Sequence, residues 1–133
     1  MSSALSRLIT AFIFVLTAIC ATTATAADYP AYDQAAFEKA QAADKPILLF
    51  VHAPWCPVCK AQMKTIDQIT ADPAYKDLAI FRIDYDTQPD LWKRFGATMQ
   101  STLIAFHGAK ERSRIAHVAE PAAVTDILRQ TLK

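Results

Sequence analysis

From Tyr32 to Ala43 the chain runs YDQAAFEKAQAA, rich in the good helix formers Ala, Glu, Lys and Gln, and a helix is expected there. Asp44-Lys45-Pro46 ends it, because the residue before a proline avoids the α region. Ile47 to Val51 is a run of five apolar residues, the mark of a strand buried on both faces. A helix is expected over residues 57–69, with Val58, Met63, Ile66 and Ile69 at near-helical spacing. Residues 79–84 (AIFRID) predict a second strand, and residues 89–95 a short helix with proline at its start and Gly96 as its stop. Residues 102–106 form a third strand, 107–110 (HGAK) a turn and 112–118 a fourth strand. Glu120-Pro121 opens a last helix with Val124, Ile127, Leu128 and Leu132 on its apolar side.

The predicted order is α-β-α-β-α-β-β-α. Strands separated by helices require parallel crossovers, while the final tight turn requires an antiparallel hairpin. The expected fold is therefore α/β, a mixed sheet of about four strands with helices on both faces. No internal repeat, low-complexity tract or domain boundary interrupts the chain after residue 28.

Residues 1–28 have a different pattern. Arg7 precedes an apolar stretch, Leu8 to Cys20, of 13 residues. A bilayer-spanning helix needs about 20. Ala24-Thr25-Ala26 then fits the small-x-small rule for signal peptidase. Residues 1–26 are expected to be a secretory signal peptide, with residues 27–133 as the mature domain and the periplasm as its location. Cleavage removes Arg7 and Cys20, and with them the odd thiol.

Composition narrows the function. The 133 residues carry 14 basic and 13 acidic side chains, a formal net charge of +1, so no field suited to nucleic-acid phosphates exists. Three cysteines do not make a disulfide scaffold. After cleavage one close pair, Cys56 and Cys59, remains, which in a secreted chain points to redox work.

The pair lies in Ala53-Pro54-Trp55-Cys56-Pro57-Val58-Cys59-Lys60, between the expected buried strand and a helix. Two intervening residues put both sulfurs on one side of the first helical turn, a separation that suits reversible closure of a Cys56–Cys59 disulfide. Cys56 is placed at the helix N-terminus, where unpaired N–H groups and the macrodipole favour a thiolate. Cys59, one turn in, is more shielded and keeps its proton longer. Cys56 is thus expected to attack and Cys59 to resolve. Pro57 at the first helical position sacrifices no hydrogen bond. Structural zinc would need four ligands, and His52, His107 and His117 show no partner spacing. No metal or other cofactor is expected for the redox reading.

This sequence resembles the thioredoxin family, over residues from about Phe37 to Leu132. The resemblance is carried by ILLFVHAPWCPVCK (47–60), FRIDYD (81–86), LWKRFGA (91–97), STLIAF (101–106) and the turn containing Gly108. It implies a thioredoxin fold, thiol–disulfide exchange through Cys56 and Cys59, and a substrate surface to which Trp55, Pro57, Gln100, Ser101 and Thr102 belong. Secretory members of the family imply client proteins with disulfides, a membrane electron donor and work such as cytochrome c maturation. A monomeric reductant is expected on this basis.

Two positions depart from the family pattern. Ser101 stands where most members carry a cis-proline. A cis bond before a non-proline residue costs ~2.5–4 kcal/mol, so the bond before Ser101 is expected to be trans, with the hydroxyl toward the sulfurs. Phe50 stands where many members carry a buried carboxylate that accepts the resolving thiol's proton. His52, two residues on and on the same strand face, is the candidate substitute as a proton relay, since an ordinary histidine titrates near ~6.5; the competing reading is a structural histidine bonded to backbone. Loss of the proline also leaves open an alternative, a soft-metal (copper) carrier using the two thiols with Met99. A third reading is an adaptor that keeps the fold without the catalysis. Asp84 and Asp86 are expected to be solvated at the strand end or to cap the next segment, and Met63 and Trp92 to pack.

Overall fold

The computed structural model describes residues 29–133, so the expected signal peptide and Cys20 lie outside the described residues. In chain order the elements are α1 (Gln34–Ala42), β1 (Pro46–His52), α2 (Pro57–Thr70), a 3-10 turn at Pro73–Tyr75, β2 (Ala79–Asp84), α3 (Pro89–Arg94), β3 (Thr102–His107), β4 (Lys110–Ala116) and α4 (Pro121–Gln130). The expected order of helices and strands is present, with the 3-10 turn added after α2.

Helix α1 starts two residues later than the composition suggested because Asp33 caps it, its carboxylate accepting the Ala36 N–H at 2.8 Å. Tyr32 is drawn instead toward the sheet edge, where its N–H donates to Arg82 O and the Arg82 N–H donates to Pro30 O.

The four strands lie in the order β2-β1-β3-β4. β1 pairs parallel with β2 and antiparallel with β3, and β3 pairs antiparallel with β4. Strand β4 occupies Lys110–Ala116, two residues earlier than expected. The hairpin is tighter than a four-residue turn: His107 already pairs with Lys110, and Gly108 supplies the positive φ (+55°) that a two-residue connection requires.

Residues of β1 alternate between two buried clusters. Leu48 and Phe50 join Leu103 and Ala105 of β3 against α2 and α4, through Ile66, Val124, Ile127 and Leu128. Ile47, Leu49 and Val51 pack on the other side with Phe81, Ile104, Phe106 and the α1 and α3 residues Phe37 and Trp92. Helices therefore cover both faces, and β1, buried from Ile47 to Val51, is the central strand that carries the chain up to the cysteines.

Candidate functional site

Strand β1 ends at His52, and Ala53-Pro54-Trp55 turn the chain into α2, with the Cys56 N–H closing on Ala53 O at 3.1 Å. Cys56 is the N-cap of α2 (φ −87°, ψ 115°), and Pro57 follows in its first turn. The Cys56 Sγ accepts the Cys59 N–H at 3.2 Å, so the sulfur itself satisfies one of the helix's open donors. Both cysteines are free thiols, 3% and 0% exposed respectively.

The third member of the site comes from the loop before β3. Ser101 is fully buried and its Oγ lies 3.0 Å from Cys56 Sγ and 3.2 Å from Cys59 Sγ. The hydroxyl thus points at the sulfurs, and among the described residues no peptide bond is cis, in line with the trans bond expected before Ser101. Its backbone adopts a left-handed conformation (φ +61°), which costs a non-glycine residue roughly 1–2 kcal/mol. Neighbours hold it there. The Ser101 N–H donates to Val51 O at 2.8 Å, and the Ser101 carbonyl accepts from the His117 N–H at 3.0 Å and from Gln62 Nε2 at 3.0 Å.

The electrostatics separate the two thiols. Burial alone would push Cys56 up, but the hydrogen bonds from Ser101 and from the Cys59 backbone and thiol outweigh it, and its net shift is downward. Burial dominates at Cys59 and raises it, although Ser101 and Ala53 pull the other way. The asymmetry expected from the helix N-terminus is present, and its immediate agents are directed hydrogen bonds on Cys56 and desolvation of Cys59.

Trp55 is 59% exposed and lies beside Cys56 on the rim. Its indole N–H donates to Asp86 Oδ2 at 2.9 Å and its ring meets Tyr85 edge-on, and Tyr85 in turn stacks on Trp92. Asp86 therefore orients a rim aromatic, a role the sequence reading missed in treating it as a solvated or capping residue. Asp84 is the cap, accepting from the Thr87 N–H and hydroxyl at 2.8 Å. Pro57 is exposed and Gln100 half-buried. Thr102 is buried at the start of β3 and its hydroxyl donates to Met99 O at 2.8 Å, which ties the loop to the strand.

Phe50 is fully buried in the same cluster as both cysteines. The His52 ring stands edge-on to it, 5.4 Å between centroids, and lines an open groove of ≈ 800 Å³ that Cys56, Pro57, Lys60 and Met63 also border. His107 sits elsewhere, its Nδ1 2.7 Å from Thr131 O. Among the described residues no cluster of three or more His, Cys, Asp or Glu side chains converges on a point where a metal could sit. Met99 offers an exposed thioether at the loop's outer side.

Gln62 was not visible in the sequence as a site residue. It is fully buried on α2, and its Nε2 donates to Ser101 O and, at 2.8 Å, to Val118 O, tying the loops on either side of β3 and β4 to the cysteine helix. Its Oε1 has no partner.

A dithiol pair of unequal acidity at a strand–helix junction, under a buried hydroxyl, defines a redox-active cysteine site on an α/β sheet. The thioredoxin family ("Thioredoxin") matches residues 29–130, and the chain belongs to that family. It is 30% identical over 95 residues to Thioredoxin M4, chloroplastic, of Arabidopsis thaliana, an alignment covering 71% of this chain and 49% of that protein. It is 31% identical over 81 residues to the thioredoxin of Mycobacterium bovis, covering 61% and 69%. The chain thus spans about half the length of the chloroplast relative. Among solved structures, Trxlp from Edwardsiella tarda EIB202 superposes with a TM-score of 0.71 at 39% identity, covering 75% of this chain and 97% of that one. Thioredoxin O2 of Arabidopsis thaliana in the oxidized state shares the fold, with a TM-score of 0.63 at 21% identity.

Proposed function

We propose that the protein is a thiol–disulfide oxidoreductase that reduces client disulfides through Cys56 and Cys59. The observation that carries this reading is the opposed shift of the two thiols, Cys56 down and Cys59 up, at the tip of α2. A thiolate attacks and a protonated neighbour waits, which is the division of labour that exchange requires. The Cys56 thiolate bonds to one client sulfur and the electron pair of the client disulfide leaves on the other. Cys59 then attacks Cys56 Sγ, the client sulfur departs, and the pair is left as a disulfide. Trp55, held on the rim by Asp86, and the exposed Pro57 meet the client.

The setting we propose is the periplasm, reached through the signal peptide at residues 1–26, with a membrane protein returning electrons to the Cys56–Cys59 disulfide. Support comes from the charge, apolar run and cleavage pattern of that segment. Among the described residues no helix is long and apolar enough to cross a membrane. Reduction of disulfides in proteins such as cytochrome c precursors fits this setting. No nucleic-acid partner is proposed, and a monomer suffices for the chemistry.

The test is a disulfide-reduction assay with the Cys56→Ser variant as control, joined to measurement of the pair's potential. A value near ~−270 mV supports a reductant, and one near ~−120 mV would reverse the direction. In cells, Cys59→Ser stalls resolution and should leave clients covalently attached to Cys56. Absence of both activity and trapped partners would overturn the proposal.

A further inference from the structure

We propose that Ser101 is itself a catalytic residue, whose hydroxyl accepts the Cys59 proton and passes its own on during resolution. The inference rests on the exchange reading above and supplies the proton path that reading lacks. Its basis is a three-centre geometry: one hydroxyl oxygen lies 3.0 Å from one reacting sulfur and 3.2 Å from the other, wholly out of solvent. A hydroxyl carries one donor and two acceptor positions. It can therefore accept the S–H of Cys59 while directing its own hydrogen toward Cys56 Sγ, the atom from which the client sulfur departs, and no second group is needed to bridge them.

The need for such a path is local. Cys59 is fully buried, so its proton has no direct exit to water. Phe50, in the same buried cluster, has no atom able to take it. The backbone around Ser101 keeps the hydroxyl in place through the Val51, Gln62 and His117 contacts, and the left-handed conformation aims Cβ at the cysteines. A strained conformation held from several sides at a reacting centre is the usual signature of a positioned group.

In the resolving step Cys59 Sγ forms a bond to Cys56 Sγ as the bond from Cys56 to the client sulfur breaks. The Cys59 proton moves to Ser101 Oγ, and the hydrogen already on Oγ moves to the departing client sulfur, which holds the electron pair of the broken bond. Over the two exchange steps together the client gains two electrons and the cysteine pair loses two, and Ser101 ends unchanged. No further oxidant enters.

The experiment is single-turnover release of a client thiol from the preformed Cys56 mixed disulfide of the full domain, in H2O and D2O, for wild type, Ser101→Ala and Ser101→Gly. Glycine adopts positive φ without penalty, so it removes the hydroxyl while relieving the backbone. Both variants should resolve at least about tenfold more slowly, equivalent to about 1.4 kcal/mol in the barrier, and should lose the multi-proton solvent isotope effect of the wild type. A wild-type rate and isotope effect in either variant overturns the relay, and in the glycine variant alone it assigns the effect to the backbone. Failure of wild type to resolve any mixed disulfide would instead overturn the exchange reading itself.

Discussion

Trp55 and Asp86, 31 residues apart, are joined by a 2.9 Å hydrogen bond that fixes the one large aromatic exposed beside the attacking sulfur. An exposed bond of this kind contributes about 0.5–1.5 kcal/mol, too little to matter greatly for folding. Its worth lies in orienting the ring. Asp86→Ala should lower client reduction several-fold while leaving the unfolding midpoint nearly in place. The Trp55 indole N–H resonance in an NMR spectrum reports the change directly, and an unmoved resonance would separate the residue pair in solution.

Alkylation against pH, read separately at each cysteine by mass spectrometry, should give two midpoints on opposite sides of the free thiol value of ~8.5. Cys56 lies below because hydrogen bonds overcome its burial, and Cys59 lies above because burial wins. The linked effects on stability have opposite signs. Cys56, depressed in the fold, stabilises above the unfolded thiol pKa, and that stabilisation is lost as pH falls through its folded value. Cys59, raised in the fold, leaves stability intact below the unfolded thiol pKa, and stability is lost as pH rises toward its folded value. Coincident midpoints would contradict the assignment of attacker and resolver.

Gln62→Ala removes the amide that holds Ser101 O and Val118 O to α2. Ser101 O keeps the His117 N–H, whereas Val118 O loses this donor. With the lost packing added, destabilisation of about 2 kcal/mol is expected in urea unfolding. Client reduction should fall as well, since the Ser101 carbonyl loses one of its two anchors. A variant with wild-type stability would mean that the loops are held by other contacts.

His52→Leu keeps an apolar neighbour for the Phe50 ring and deletes the imidazole facing the groove. Exchange at pH 7 should slow several-fold. An unchanged rate removes His52 from the proton economy of the site.

How far the sequence carried the argument varies with the physics of each residue. The buried strand at 47–51 and the cysteine pair were legible because both are local patterns, a hydrophobic run and a spacing. Strand β4 was displaced by two residues, since an edge strand with no buried residue offers no apolar block to mark its ends. Gln62 was not legible: a glutamine on an amphipathic helix looks solvated, and only the fold brings the carbonyls of Ser101 and Val118 to it. The same holds for Tyr29, whose hydroxyl donates to Asp67 across 38 residues and whose pKa is raised by burial and by that carboxylate. Ser101 stood between: its chemistry was visible in the sequence, while its backbone conformation and its reach to both sulfurs needed the packed loop.

Phe50 leaves hydrocarbon where an ionisable group would have to be kept charged or neutral at a desolvation penalty. No internal acid there competes with the sulfurs for protons or ties the unfolding curve to its own titration. A change in pH therefore reaches this part of the core through the two thiols and not through a buried carboxylate.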